Sequence, residues 1–323
     1  MNKKRIARTI KLALKSRPLM VFLIDLALVV IFSLTNKYFF TVLNFKAIGF
    51  GMLSVGIISI GMMIVMITGA FDLSVGSTLA LTGVIAAKLM EFGVPIVLSI
   101  LIALILGAFI GYFNGLLITE VEINPFIATL GTMSMVRGLA LAITQGMRVD
   151  CFSMRFAWLG EGSILGFPFA PLLMIILVAV FDIFLRSTAK GRLLYYTGGN
   201  EEAARLSGIN TKRVSMVAFI SNGFLAALAG VILASRMMSM AATSGMGMEL
   251  KAIAACIIGG AALRGGEGTI IGAFLGALLV AFIDNILILN GVSAYWQQFS
   301  AGAILIIVVS FNIIASRTVQ KGK

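Results

Sequence analysis

The sequence predicts an all-α membrane protein, a polytopic bundle of about ten transmembrane helices, and three observations carry that prediction. Of 323 residues, 60% are hydrophobic and 12% charged, whereas soluble domains average about half apolar and about a quarter charged. The mean hydropathy is +1.07, so polar groups cannot cover the surface and lipid must be part of the solvent. The apolar residues also fall into runs near the roughly 20 that cross a bilayer, and the basic residues collect beside them.

The runs lie at 19–35, 48–68, 73–90, 95–118, 125–144, 171–185, 214–238, 251–263, 268–289 and 295–316. Backbone donors and acceptors cannot stay open in lipid, so these runs must be helices or protein-lined helix fragments. The run at 251–263 is short enough to be partly re-entrant. The first run, Leu19 to Leu34, leads into "TNKYFF" without a small-x-small cleavage site. It is therefore expected to stay as a first helix rather than leave as a signal peptide.

The net charge is +12, and its placement matters more than its size. Lys3, Lys4, Arg5, Arg8, Lys11, Lys15 and Arg17 precede or open the first run; Arg186, Lys190, Arg192, Arg205, Lys212 and Arg213 crowd one interior loop; Arg317, Lys321 and Lys323 close the chain. Basic clusters beside apolar spans orient them with those loops in the cytoplasm. Ten spans return the chain to its starting side, so all three clusters are expected there together. The organisation read from this is a cytoplasmic basic segment at 1–18, a transmembrane domain at 19–316 with a cytoplasmic loop at 186–213, and a cytoplasmic tail at 317–323. The same placement argues against a nucleic-acid partner.

Several chemistries lack their residues. The sequence has no histidine, which removes the commonest general base and metal ligand. Its two cysteines, Cys151 in a loop and Cys256 in a span, suggest no disulfide framework. No G-x-x-x-x-G-K-[ST] loop occurs, and "GMGMEL" at 245–250 lacks both the last small residue and the βαβ setting of a dinucleotide fingerprint. No catalytic, metal or nucleotide residue is assigned. Gly107, Gly111 and Gly115 repeat every four residues, as do Gly268, Gly272 and Gly276, a spacing that lets helix backbones approach closely in a bilayer. The two ladders fall on spans of opposite predicted direction, which hints at an inverted repeat.

Carboxylates within spans are expensive and usually face a cavity or a partner. Asp25 is expected to snorkel or pack, and Asp182 to make an i,i+4 surface contact with Arg186. Asp72 lies in "TGAFDLSVGS", where Gly69 and Gly76 predict a broken helix. The break presents the N-terminus of the next helix, with free donors and a positive dipole end. Asp72 is expected to cap that helix, to line a solute path, or both. In the basic loop, "GGNEEAARLSGINTKR" predicts a helix of about two turns. Asn200 is its N-cap, Glu201 and Glu202 its first turn, and Gly208 its left-handed C′ residue. So short a helix is unstable alone; the chain's own face or another protein must hold it. Ala203 and Ala204 would let an incoming surface approach the backbone, with Arg205 beside them.

From about Phe45 to Ser316 the chain resembles the permease subunits of bacterial ABC importers for simple sugars, of the ribose, xylose and autoinducer-2 type. The resemblance is carried by "FDLSVGS" (71–77), "NGLLITEVEINPFIATLGTMSMVRGLA" (114–140), "GGNEEAARLSGI" (198–209) and "ELKAIAACIIGGAALRGGEGT" (249–269). Departures include Ala70-Phe71 for the usual Gly-Ile, and Lys251 for a frequent acid; they bear on the identity of the solute. The resemblance implies that Asn200 to Arg205 and Gly208 form a coupling helix seated in a separate ATPase subunit, which would hold ATP and magnesium, with no cofactor in this chain. It also implies an extracytoplasmic solute-binding protein and a second permease copy or paralogue. Candidates for polar lining, suited to a neutral polyol, are Asp72, Ser74, Ser77, Asn114, Asn124 and Thr129. The competing reading is an ion-coupled secondary transporter using Asp72 or Asp284.

Overall fold

A computed structural model describes residues 17–321. Each apolar run becomes a helix: α1 (Arg17–Thr35), α2 (Val42–Gly51) and α3 (Leu53–Ile67), α4 (Val75–Glu91), α5 (Ile96–Thr119), α6 (Pro125–Thr144), α8 (Phe169–Ser187), α11 (Thr211–Met237), α12 (Met248–Ile258), α13 (Ile270–Leu289) and α14 (Ala294–Lys321). Among the described residues, six are long and apolar enough to cross a membrane: α1, α5, α6, α8, α11 and α13. The pair α2 and α3, bent by 43°, makes a seventh span if taken as one. Between the runs lie shorter helices, α7 (Met154–Glu161), α9 (Ala189–Gly199) and α10 (Glu201–Leu206). Two small antiparallel pairings complete the fold: Val149–Asp150 (β1) with Ser239–Met240 (β4), and Ser163–Ile164 (β2) with Phe167–Pro168 (β3).

Helix α3 is the shaft of the bundle, with every residue from Leu53 to Ile67 buried. Helices α8, α11, α12 and α13 pack around it. The glycine ladders are where the backbones meet. A Cβ added at Gly111 would come 2.9 Å from Ile220 Cα, and one at Gly223 would come 2.8 Å from Gly111 N, so α5 and α11 cross with almost no side chain between them. Similarly, a Cβ at Gly276 would lie 3.0 Å from Ala255 Cα, which seals α13 onto α12. Gly268 falls outside this second ladder, because α13 begins at Ile270 and Gly268 lies in the turn before it, at φ +152°.

Three expectations become more specific. The run at 251–263 is the 11-residue α12 followed by a turn; at about 1.5 Å per residue it spans roughly half a hydrocarbon core. Asp182 and Arg186 do pair, at 2.7 Å. Yet Asp182 is buried and also accepts a hydrogen bond from Ile271 N at 3.3 Å, so it ties α8 to the first turn of α13, whose N-cap is Thr269. Asp25 takes the second of its two expected courses and packs: it is buried on α1, which packs against α13, and neither carboxylate oxygen has a partner among the described residues.

Candidate functional site

Helix α4 begins inside the bundle. The chain leaves α3 at Ile67, turns through Gly69 at φ +88°, and enters α4 at Val75. Asp72 accepts hydrogen bonds from Ser74 N at 2.8 Å and Ser74 Oγ at 2.6 Å. The cap position belongs to Ser74, whose side chain makes no cap bond; Asp72 acts two residues earlier, as an Asx turn. This corrects the expectation that Asp72 is itself the N-cap. The carboxylate also receives Asn114 Nδ2 from α5 at 3.4 Å and Asn222 Nδ2 from α11 at 2.9 Å. Asn114 also donates to Ser74 Oγ at 2.8 Å, and Ser77 Oγ donates to Ser74 O at 2.9 Å.

One carboxylate thus ties the broken end of α4 to two long helices, within a site no more than 1% exposed at any of these five residues. The amide oxygens of Asn114 and Asn222 are left without partners among the described residues. Asn222 is seated by Gly61 of α3, where an added Cβ would come 2.9 Å from Asn222 Cα. The fold brings together four of the sequence candidates, Asp72, Ser74, Ser77 and Asn114. Asn124 and Thr129 lie outside this hydrogen-bond network: Asn124, the N-cap of α6, is exposed and accepts from Phe126 N at 3.0 Å, and buried Thr129 donates to Pro125 O at 2.8 Å.

A second half-helix meets the first. After β4 the chain runs inward along α4, with Met240 against Gly83 and Gly245 against Gly76, and only then forms α12. The first turns of α4 and α12 therefore lie against one another, each with a carboxylate at hand. Glu249 Oε1 accepts from Gly247 N at 3.1 Å, and its other oxygen lies against Gly76. Arg137 of α6 anchors the inward stretch by donating to the carbonyls of Ala242 and Ser244, the latter at 2.8 Å. Asn222, Glu249 and Arg137 were missed in the sequence. For Asn222 and Arg137 the signal was that of Asp72, a polar side chain in an apolar run; Glu249 lies between runs, two residues from Lys251.

The face bearing Lys190 to Arg213, here called the basic face, carries the predicted short helix. Asn200 Oδ1 accepts from Ala203 N at 2.9 Å, and Gly208 adopts φ +84°. Asn200, Glu201, Glu202, Ala203, Arg205 and Gly208 are exposed, and Ala204 alone turns inward. Of the two alanines, only Ala203 is open to an incoming surface. Beside this foot, a depression of about 670 Å³ is lined by Glu122, Glu201, Glu202, Arg205 and Lys212. Lys212 reaches Glu120 at 3.6 Å and Glu122 at 3.5 Å, joining the foot's exit to the α5–α6 turn. Elsewhere, Asp284 is held by Lys251 at 2.6 Å, and no cluster of metal-ligand type occurs among the described residues.

A bundle with two short helices whose first turns meet, and an exposed helical foot on its charged face, has the build of a membrane transport component. The chain belongs to the family described as the permease component of branched-chain amino acid transport systems, whose model matches residues 46–309. It is similar to the ribose import permease protein RbsC of Haemophilus influenzae, 39% identical over 292 residues that make up 89% of this chain and 90% of that one. RbsC of Escherichia coli K12 is 39% identical over 288 residues, 88% of this chain and 90% of that one. The autoinducer 2 import system permease protein LsrC of Yersinia enterocolitica is 38% identical over 288 residues, 89% and 80% of the two chains. No solved structure matches.

Proposed function

We propose that this chain is the membrane permease subunit of a binding-protein-dependent ABC importer for a monosaccharide or similar small polyol. In this reading the basic face lies in the cytoplasm with both termini, a separate subunit binds and hydrolyses ATP, and a second permease copy or paralogue completes the passage. The single observation that carries it is the exposed foot at 200–208 in a chain about 39% identical to ribose import permeases. Glu201 and Glu202 are exposed, and an ATPase subunit would receive them in a groove of opposite charge. The solute class rests on those relatives and on the amides and hydroxyls of Ser74, Ser77, Asn114 and Asn222 gathered about Asp72, suited to hydroxyl partners.

Alternating access then has a physical form. Asp72 and its donors are closed to solvent in this conformation, so the path opens only when α4 and α12 shift. Differential affinity of the ATPase pair for the two states supplies the free energy. The ion-coupled alternative loses its second acid, since Asp284 is already paired with Lys251.

Two measurements test the reading. Glu202→Arg should abolish co-purification of the ATPase subunit and solute uptake together, while the amount of permease in the membrane stays unchanged. In liposomes, the chain alone under a proton or sodium gradient should move no solute. Uptake without an ATPase subunit, or intact ATPase binding by the variant, would refute the proposal.

A further inference from the structure

Helices α8 and α11 both rest on α3 but scarcely touch one another, and α9 closes across them at the basic face. Between them runs a groove of about 740 Å³. Its floor is Ile64 of α3, its walls are Phe181 and Phe184 of α8, and Val180 and Val217 stand exposed at its mouth. The basic end of the groove is lined by Lys190 and Arg213, both exposed. Their neighbours Arg186 and Lys212 are held by Asp182 and by Glu120 and Glu122, whereas Lys190 and Arg213 make no ion pair among the described residues.

We propose that this groove is a binding site for one acidic phospholipid. An acyl chain lies along Phe181, Phe184 and Val217, and the phosphate meets Lys190 and Arg213. An apolar trough that opens sideways into a bilayer fills with hydrocarbon, which any lipid supplies. The pair of uncompensated cations at its end selects an anionic headgroup over a zwitterionic one. Gly208, Ile209 and Asn210, the link from the foot to α11, form part of the same wall. A bound headgroup therefore braces the root of the foot. The assignment needs only that the chain is embedded in lipid, and it stands whether or not the foot docks an ATPase.

The test is native mass spectrometry of the full-length chain, with whatever partners co-purify, after equilibration with equal phosphatidylglycerol and phosphatidylcholine. Phosphatidylglycerol should be retained over phosphatidylcholine by roughly 25-fold, about fivefold for each cation. Lys190→Gln with Arg213→Gln should bring that ratio close to one while a lipid stays bound. Val217→Trp, which fills the mouth and leaves both cations, should lose the adduct of either lipid. All three side chains are exposed, so the fold is not at stake. Equal retention of the two lipids by the unaltered chain would overturn the proposal, as would a preference surviving the double variant or retention unchanged by Val217→Trp. Displacement of phosphatidylglycerol by inorganic phosphate alone would reduce the site to a simple anion site and overturn the lipid assignment.

Discussion

Asp72→Ala should destabilise the purified protein by about 3–5 kcal/mol, read as a lower unfolding midpoint in detergent. Four hydrogen bonds from three residues end on this carboxylate. With the side chain gone, Ser74 N and Asn222 Nδ2 lose their acceptor in a site water does not reach. A buried polar group left unpaired costs about 1–3 kcal/mol. Asn114 keeps its bond to Ser74 Oγ, which limits the loss. Asp72→Asn preserves the volume but offers one acceptor where two are needed and turns an NH₂ toward a donor, so its loss should approach that of alanine. Asn222→Leu, which leaves the other donors in place, should cost less than either. An unfolding free energy for Asp72→Ala within about 1 kcal/mol of the unaltered protein's would show that the carboxylate does not join α4, α5 and α11.

That network also marks the boundary of what the chain discloses before it folds. The ten apolar runs became helices because lipid leaves the backbone no other way to satisfy itself. The foot was legible down to Asn200 and Gly208, since caps are local, written within four or five residues. The close crossing of α5 on α11 was legible in part: Gly107, Gly111 and Gly115 announced an approach but not its target. What stayed hidden was pairing across distance. Asn222 meets Asp72 from 150 positions away, and nothing in "FISNGFL" says where its amide points. Helix α9 was hidden by its polar, glycine-bearing sequence, and α12 by a continuous apolar run in which a turn, Gly259 to Leu263, counted toward a span.

Both interrupted helices converge on one place at the basic face, and a single methyl group there tests the coupling of the whole device. Gly198, two residues before the foot begins, lies against the carbonyl oxygen of Ile67 at the end of α3; an added Cβ would overlap that oxygen and come 2.8 Å from Gly266 N. Gly266 N itself donates to Ile67 O at 2.8 Å. A Cβ at Gly265 would come 2.8 Å from Gly69 Cα, and one at Gly266 would come 2.8 Å from Gly199 Cα. Three backbone segments thus meet without side chains: the end of α9, the break before Asp72, and the turn that follows α12. Tyr195 OH donates to Gly268 O at 2.9 Å and binds the first of them to the third. If a partner moves the foot, the displacement reaches α4 and α12 through this junction. Gly198→Ala should therefore leave ATPase co-purification intact while cutting solute moved per ATP by about tenfold, within the range that residues between coupled sites exert. Gly199→Ala is the matched control, because no atom lies within 4 Å of its added Cβ, and it should couple normally. Tyr195→Phe removes one hydrogen bond without adding bulk, so a loss of about threefold in the same ratio is expected even if Gly198→Ala fails to accumulate. Wild-type coupling in Tyr195→Phe, together with wild-type coupling in any Gly198→Ala protein that reaches the membrane, would show that the foot's motion travels by another route.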